Sequence, residues 1–281
     1  GRGKCFACDK PAFLDQYDDS VESQFKPNNR QVDYDMSSET LEAISGYDTA
    51  GVRERMLTKT ACAVYDMKVA YNAAGVIDTH YYPYTVKGEA VAYKKRTLPK
   101  DFRVVGDLKH KGLELFGQSK FQGGGFKLVI TEGELDAIAV QQAMLTKYNK
   151  TYPVVSIPSS SSLKVLVHNR EWIRSFNEVI LMFDGDEAGE KAVAEAAKII
   201  GWDKTLVASL SANDPCDSLL ANPLEIVSAV FNARKYAPAS IVRGEAIWEA
   251  YLERKETESV PYPKCLEGLN DKLDGMRKGE I

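Results

Sequence analysis

Glu178-Val-Ile-Leu-Met-Phe183 runs directly into Asp184-Gly-Asp186-Glu-Ala-Gly189. An apolar run rich in β-formers ends in two carboxylates one residue apart, and the Ala-rich residues 190–200 that follow read as a helix. The acids therefore stand at a strand-to-helix junction, where open α/β sheets place their ligands. Two carboxylates this close repel each other unless a cation or a proton lies between them, and an all-oxygen site suits Mg²⁺ or Mn²⁺. Other readings of the stretch differ in strength. A hairpin turn needs a second alternating strand after Asp-Gly, and none follows. An EF-hand loop would put Ala188 and Ala192 at ligand positions and has a strand before it. Asp186 as a helix N-cap, with Asp184 merely solvated, is the better account of an isolated D-x-D.

The remainder of the chain decides between cap and metal site. Lys127-Leu-Val-Ile-Thr131 is a second buried-type strand, and it too ends in acids, Glu132-Gly-Glu134-Leu-Asp136, at the start of a helix expected to be amphipathic and to reach about Lys147. Residues 153–157 and 205–210 supply two more strands. Between them come a Ser-rich turn at Ser159 to Ser162 and a helix through Trp172. Strands alternating with helices at this spacing imply an α/β fold with a parallel sheet covered by helices on both faces. Parallel strands end on one edge, so Glu132, Asp184, Asp186 and Asp214 are expected on one rim. A cap cannot explain Glu132, which favours a metal site.

The N-terminal half reads differently. A short helix from Ser38 with Leu41 and Ile44 on one face and a second helix over 49–59 precede alternating segments at 63–69, 76–84 and 90–93, strands of a small antiparallel sheet with turns at Asn72 to Gly75 and Lys87-Gly88. Tyr81, Tyr82 and Tyr84 suit core packing better than base stacking. From Lys94 to Lys111 there are seven Lys or Arg residues against two acids, although the chain as a whole carries a net charge of −4. That segment could meet phosphates. The domain divisions expected are a partial zinc ribbon at 1–14, a linker at 15–36, an α+β subdomain at 37–122, the parallel-sheet domain at 123–235, a helix-bearing linker at 236–264 and the start of another domain at 265–281.

With 281 residues, 44% hydrophobic and 27% charged, the composition is that of a globular rather than a disordered chain. No apolar run is long enough for a membrane span and Gly1-Arg-Gly-Lys lacks a signal-peptide core, so a cytoplasmic protein is expected. Cys5 and Cys8 form a C-x₂-C knuckle, half of a zinc site by spacing; the pair is redox-active, or idle, or, the favoured expectation, the second half of a ribbon whose first knuckle precedes Gly1. Cys62, Cys216 and Cys265 are scattered, with no disulfide framework.

Thr131-Glu-Gly-Glu-Leu-Asp136 and Phe183-Asp-Gly-Asp-Glu-Ala-Gly189 resemble the two motifs of the TOPRIM domain, shared by DnaG-type primases, type IA and II topoisomerases and some nucleases. The whole chain resembles the primase half of the bifunctional primase-helicases of T-odd-like phages, whose mitochondrial relative is Twinkle. Arg55-Met-Leu-Thr-Lys-Thr-Ala-Cys62, Tyr93-Lys-Lys-Arg96, Lys100-Asp-Phe-Arg103, Glu114-Leu-Phe-Gly117 and Phe231-Asn-Ala233 fall in the family's order. The family's Arg-Gly-Ile element reads Arg55-Met-Leu here, and its Gly-containing loop reads Ser159 to Ser162.

The resemblance implies synthesis of RNA primers from NTPs on a single-stranded DNA template during phage replication in the bacterial cytoplasm. Glu132, Asp184 and Asp186, with Asp214, would be catalytic metal ligands for Mg²⁺ or Mn²⁺, and Cys5 and Cys8 would belong to a zinc ribbon that reads the template. Arg55, Lys94, Arg96, Lys100 and Arg103 would bind template or triphosphate. Partners implied are the helicase domain of the same full-length chain, assembled as a hexamer, and a replicative DNA polymerase; no membrane is involved. Residues 268–281 resemble the approach to the helicase's phosphate-binding loop, and residues 243–256 its linker helix. The rival expectations are a metal-dependent nuclease and a non-catalytic DNA-binding module.

Overall fold

The computed structural model describes residues 39–99, 101–159, 163–238, 247–249, 251–252, 259–273 and 275–276. Cys5, Cys8, the linker at 15–36, Ser38, Lys100, Ser160 to Ser162 and most of the helix expected over 243–256 lie outside them. The chain divides after Tyr236 into two units, taken separately.

The first unit opens with α1 (Leu41–Ser45), whose N-cap is Thr40, its hydroxyl accepting from Ala43 N at 3.1 Å. The helix expected over 49–59 does not form. Val52 and Leu57 pair as an isolated bridge around a 3₁₀ turn at Arg53–Arg55, and helix α2 (Lys59–Val64) begins instead at Thr58, which caps Ala61 N. That cap and the run of small residues behind it take 61–64 into helix, so the strand expected over 63–69 becomes β1 (Lys68–Tyr71).

Strands β2 (Ile77–Val86), β3 (Glu89–Thr97) and β4 (Asp101–Gly106) complete an antiparallel sheet in the order β1-β2-β3-β4. Lys87 and Gly88, at φ of 51° and 83°, form the two-residue hairpin turn joining β2 to β3. The basic segment is itself part of the sheet, with Arg96 opposite Phe102, Lys95 opposite Arg103 and Lys94 opposite Val104. Cross-strand partners share a face and neighbours along a strand alternate. Lys94, Arg96 and Phe102 therefore lie on one face, Lys95 and Arg103 on the other. Tyr81, Tyr82 and Tyr84 are at most 1% exposed, which makes them core and leaves no room for bases on them. Tyr81 packs with Ile44 under α1; Tyr82 and Tyr84 face the second sheet.

The second sheet is built from β5 (Lys127–Thr131), α3 (Glu134–Tyr148), β6 (Val154–Ser156), α4 (Lys164–His168), α5 (Arg170–Arg174), β7 (Glu178–Met182), α6 (Glu187–Ile200), β8 (Thr205–Val207), α7 (Pro215–Ala221), α8 (Pro223–Phe231) and β9 (Arg234–Lys235). Its order is β6-β5-β7-β8-β9, the first four parallel and β9 antiparallel. At two residues β9 is too short to leave a periodic signal. Leu128, Ile130, Val179 and Leu181 point to the α4, α5 and α6 side with Leu166, Ile173 and Ala196; Val129, Ile180 and Met182 point to the α3, α7 and α8 side. Both faces are thus covered, as the strand composition demands.

Helix α3 departs from the amphipathic expectation. Glu134 through Met144 are buried except Asp136, which is partly buried, because the parallel sheet lies on one side and α2, β2 and α7 on the others. A helix covered all round loses its polar stripe. Tyr65 donates to Val154 O at 2.9 Å, and Gln142 accepts from Thr58 N and donates to Met56 O, both at 2.6 Å, so the antiparallel sheet and α3 share one core.

In the second unit, Val260 pairs with Met276 around a 3₁₀ segment (Lys264–Leu269) and helix α9 (Asn270–Leu273). Residues 247–249 and 251–252 are helical. Among the described residues no helix is long and apolar enough to cross a membrane.

Candidate active site

From β5 the chain passes to β6 on one side and then crosses back to β7 on the other, so the strand order reverses between β5 and β7. A crevice opens at the carboxyl ends of strands at such a point. Thr131 is paired with Met182, which sends Glu132 and Asp184 out of the sheet side by side. A cavity of about 450 Å³ lies there, lined by Glu132, Glu134, Asp136, Asp184 and Asp214, with Arg55, Lys94, Arg96, Phe102 and Ser159 among its other walls.

Asp186 is exposed and is not part of that lining. Its Oδ1 accepts from Gly189 N at 2.8 Å and caps α6, so the cap reading holds for this acid while Asp184 turns inward. A Cβ on Gly189 would stand 2.1 Å from the Asp184 carbonyl oxygen; only glycine lets the first turn of α6 rest on that backbone. Asp214 lines the cavity and also caps α7, accepting from Asp217 N at 2.7 Å. Gly185 N donates to Asn213 O at 2.9 Å and so fixes the Asp184 loop beside the Asp214 loop.

The acids hold one another's charge in check. Burial, then the charges of Glu132, Asp136, Asp214 and Asp186, push the Asp184 carboxyl up to about 7. Burial and Asp214 push Asp136 up to about 6, against a weak contact from Cys216 N at 3.4 Å. Glu132 Oε2 is buried with no hydrogen-bond partner, an arrangement that costs about 1–3 kcal/mol if left unmet. A divalent cation relieves all three conditions, and carboxylate oxygens are the donors that Mg²⁺ or Mn²⁺ prefers. Asp136, Asp214 and Cys216 bring one ligand atom each within 4.8 Å of one another. Burial and Asp136 hold the Cys216 thiol well above its usual range, so the two carboxylates are the donors a hard cation would take.

The basic residues separate. Lys94 lines the cavity but its Nζ is 2.9 Å from Glu134 Oε1 and donates to Pro158 O at 2.8 Å. Arg96 lies with its Cζ 5.6 Å from the Phe102 ring centroid and keeps a buried Nε without a partner. Arg55 lines the cavity, held 3.5 Å from Asp217. Arg103, expected to bind template or triphosphate, does not line the cavity: exposed on the other sheet face, it pairs with Asp101 at 3.1 Å. Glu134, Asp136 and Phe102 stand within the sequence motifs, which gave none of them a role. The place of Asp136 in the first turn of α3, within the same acidic run as Glu132, was the available signal for it; Phe102 carried none without its strand register.

Residues 129–219 match the model of a family described as Toprim-like. The DNA helicase/primase of Enterobacteria phage T3 is 34% identical over 200 residues, 69% of this chain and 34% of that protein. A chain of a bacteriophage T7 structure, of lagging-strand DNA polymerase interacting with primase domains of two subunits bound to an RNA/DNA hybrid and dTTP, is 32% identical with a TM-score of 0.60, over 67% of this chain and 94% of that one. The chain belongs to the Toprim primase family of phage primase-helicases. The primase fragment of the bacteriophage T7 primase-helicase, 28% identical with a TM-score of 0.61, covers 82% of this family member and is itself 90% covered. The Toprim primase chain spans about a third of the length of its T3 relative.

Proposed function

We propose that this chain is a DNA primase that joins NTPs into short RNA primers on a single-stranded DNA template. The observation that carries the reading is one cavity with two chemistries, carboxylates from the ends of two parallel strands on one wall and Arg96 and Arg55 on the other. Glu132, Asp184 and Asp214 would hold Mg²⁺ or Mn²⁺, with Asp136 beside them and Asp186 at the edge. Once bound, the cations supply charge neutralisation to the triphosphate and acidify the attacking 3′-hydroxyl. Arg96 and Arg55 would receive the phosphates, and rigid acids set by β5, β7 and α7 would fix where the reacting groups meet. Lys94, paired with Glu134, would position the wall rather than bind nucleotide directly. Lys100, outside the described residues, would add to phosphate binding, and Arg103, on the far face, would serve the DNA backbone at most.

Fusion to a helicase in one longer chain, hexamer formation, contact with a replicative DNA polymerase and action in the cytoplasm of a phage-infected cell complete the proposal. The naming of the T3 relative as a helicase/primase, and the polymerase and RNA/DNA hybrid present in the T7 structure, support it. Cys5 and Cys8 would contribute to a zinc ribbon for template reading. Labelled NTPs, single-stranded DNA and Mg²⁺ test the activity: diester products lost in Asp184→Asn are expected. DNA nicking without such products would replace primase by nuclease, and DNA binding with neither would leave a passive module.

A further inference from the structure

Next to the acid-lined cavity, and sharing Arg55, Arg96 and Leu135 with it, lies a second cavity of about 430 Å³ whose walls include His80, Leu98 and Pro99. His80 and Arg96 are directly opposed across β2 and β3, so their side chains stand together on one sheet face. Each brings a buried nitrogen with no hydrogen-bond partner, His80 Nε2 and Arg96 Nε. His80 is only 1% exposed, and its Nδ1 faces the Tyr82 hydroxyl at 3.3 Å. Burial and the Arg96 charge hold the imidazole down to about 4, so at neutral pH the ring is uncharged and carries one proton. Two tautomers fit that contact, and in the one where the Tyr82 hydroxyl donates to Nδ1 the proton sits on Nε2.

Arg96 Nε–H and, in that tautomer, His80 Nε2–H are buried donors on one face, with the Arg55 guanidinium beside them, and neither has an acceptor. The one acid on the cavity wall, Glu54, is exposed. A buried donor of this kind calls for a water, an ion or a ligand to complete it. Leu98, Pro99 and Leu135 add an apolar surface, so the pocket combines anion-seeking and apolar walls, as a nucleotide requires. A reaction that joins two nucleotides also needs a second one held beside the acids.

We propose that this second cavity is a nucleotide subsite in which a phosphate oxygen accepts from His80 Nε2–H and Arg96 Nε–H, while Leu98 and Pro99 carry the ribose or base. The role assigned to the nucleotide rests on the primase reading; the phosphate site itself does not.

The test uses the wild-type chain in EDTA, so that the acids recruit no metal, with ¹⁵N-labelled histidine and inorganic tripolyphosphate as the probe. Of the three histidines, His110 and His168 are exposed and serve as internal references. The His80 Nε2–H signal is expected to move to saturation, with NTPs doing the same, while the references stay in place. His80→Phe should weaken tripolyphosphate binding by about tenfold, the loss of one hydrogen bond to a charged group, and His80→Gln should restore part of it. A His80 signal that is unmoved at saturating tripolyphosphate overturns the subsite even if the variants fail to fold. A signal moved by a single-stranded oligonucleotide but not by tripolyphosphate or NTP assigns the pocket to the DNA backbone and overturns it equally. Loss of primer synthesis with the shift intact would remove the primase reading and leave the phosphate site standing.

Discussion

The Lys94 ammonium stands 2.9 Å from the Glu134 carboxylate, and both side chains are more than four-fifths buried. The same carboxylate accepts from the Tyr84 hydroxyl at 2.6 Å, while Lys94 donates to Pro158 O. One ion pair thus ties β3 to the start of α3 and to the loop after β6. Removing one partner leaves the other charged and unmatched in the core. Lys94→Met is expected to cost about 3 kcal/mol in urea unfolding, and Lys94→Met with Glu134→Gln to recover most of it. A loss for the single variant below about 1 kcal/mol would mean the pair behaves as a surface pair.

Asp184 links stability to pH and to cations. Its folded value of about 7 lies above the ordinary 3.8, so between the two the folded chain keeps a proton that the unfolded chain has lost. Stability therefore falls as pH rises through this window, and the full loss stands above it. Asp136, raised to about 6, acts in the same direction. Mg²⁺ should raise the unfolding midpoint more at about pH 8 than at about pH 5, since protonated carboxyls bind it poorly. Asp184→Asn should flatten the decline. An equal response to Mg²⁺ at both pH values would count against the acid cluster as the binding site.

Asp186 and Asp214 both cap helices, and each cap can be separated from the metal-binding role proposed for it. Asparagine caps a helix as well as aspartate does, whereas alanine in place of a cap costs about 1 kcal/mol. Asp214→Asn and Asp214→Ala should weaken Mn²⁺ binding alike, followed by electron paramagnetic resonance, but only the alanine variant should lower the thermal midpoint through α7. For Asp186, outside the cavity lining, the stability difference should persist with a smaller effect on Mn²⁺.

Strand alternation separates Arg96 from Arg103. Arg96→Ala is expected to weaken NTP binding by about tenfold or more, as loss of a charged hydrogen bond does. Arg103→Ala, on the opposite face, should stay within about twofold, the scale of a distant surface charge. Equal losses in both would place the triphosphate across the edge of β4 instead.

The two strand-to-acid junctions were legible because buried parallel strands are unbroken apolar runs, and their ends are marked by the first charge: Glu132 after Thr131, Asp184 after Phe183. The sorting of neighbouring charges was not. Asp184 and Asp186 look equivalent in sequence, and only the hydrogen bond to Gly189 N makes the second a cap. Lys94, Lys95, Arg96 and Arg103 form one basic cluster by position, yet the β3–β4 register divides them between two faces. The all-round burial of α3 was hidden for another reason: its second cover, from Leu57 to Tyr84, lies 50 or more residues before Glu134, and helical periodicity reports only a local face.

Helix α3 is held by both sheets within one continuous core. The wall carrying Arg96 and the rim carrying Asp184 are therefore unable to swing apart without emptying that core. The first unit works as an anvil of fixed gap. In the proposed reaction, template and nucleotides would have to be fed across it, and the tempo of successive additions would belong to whatever draws the strand through.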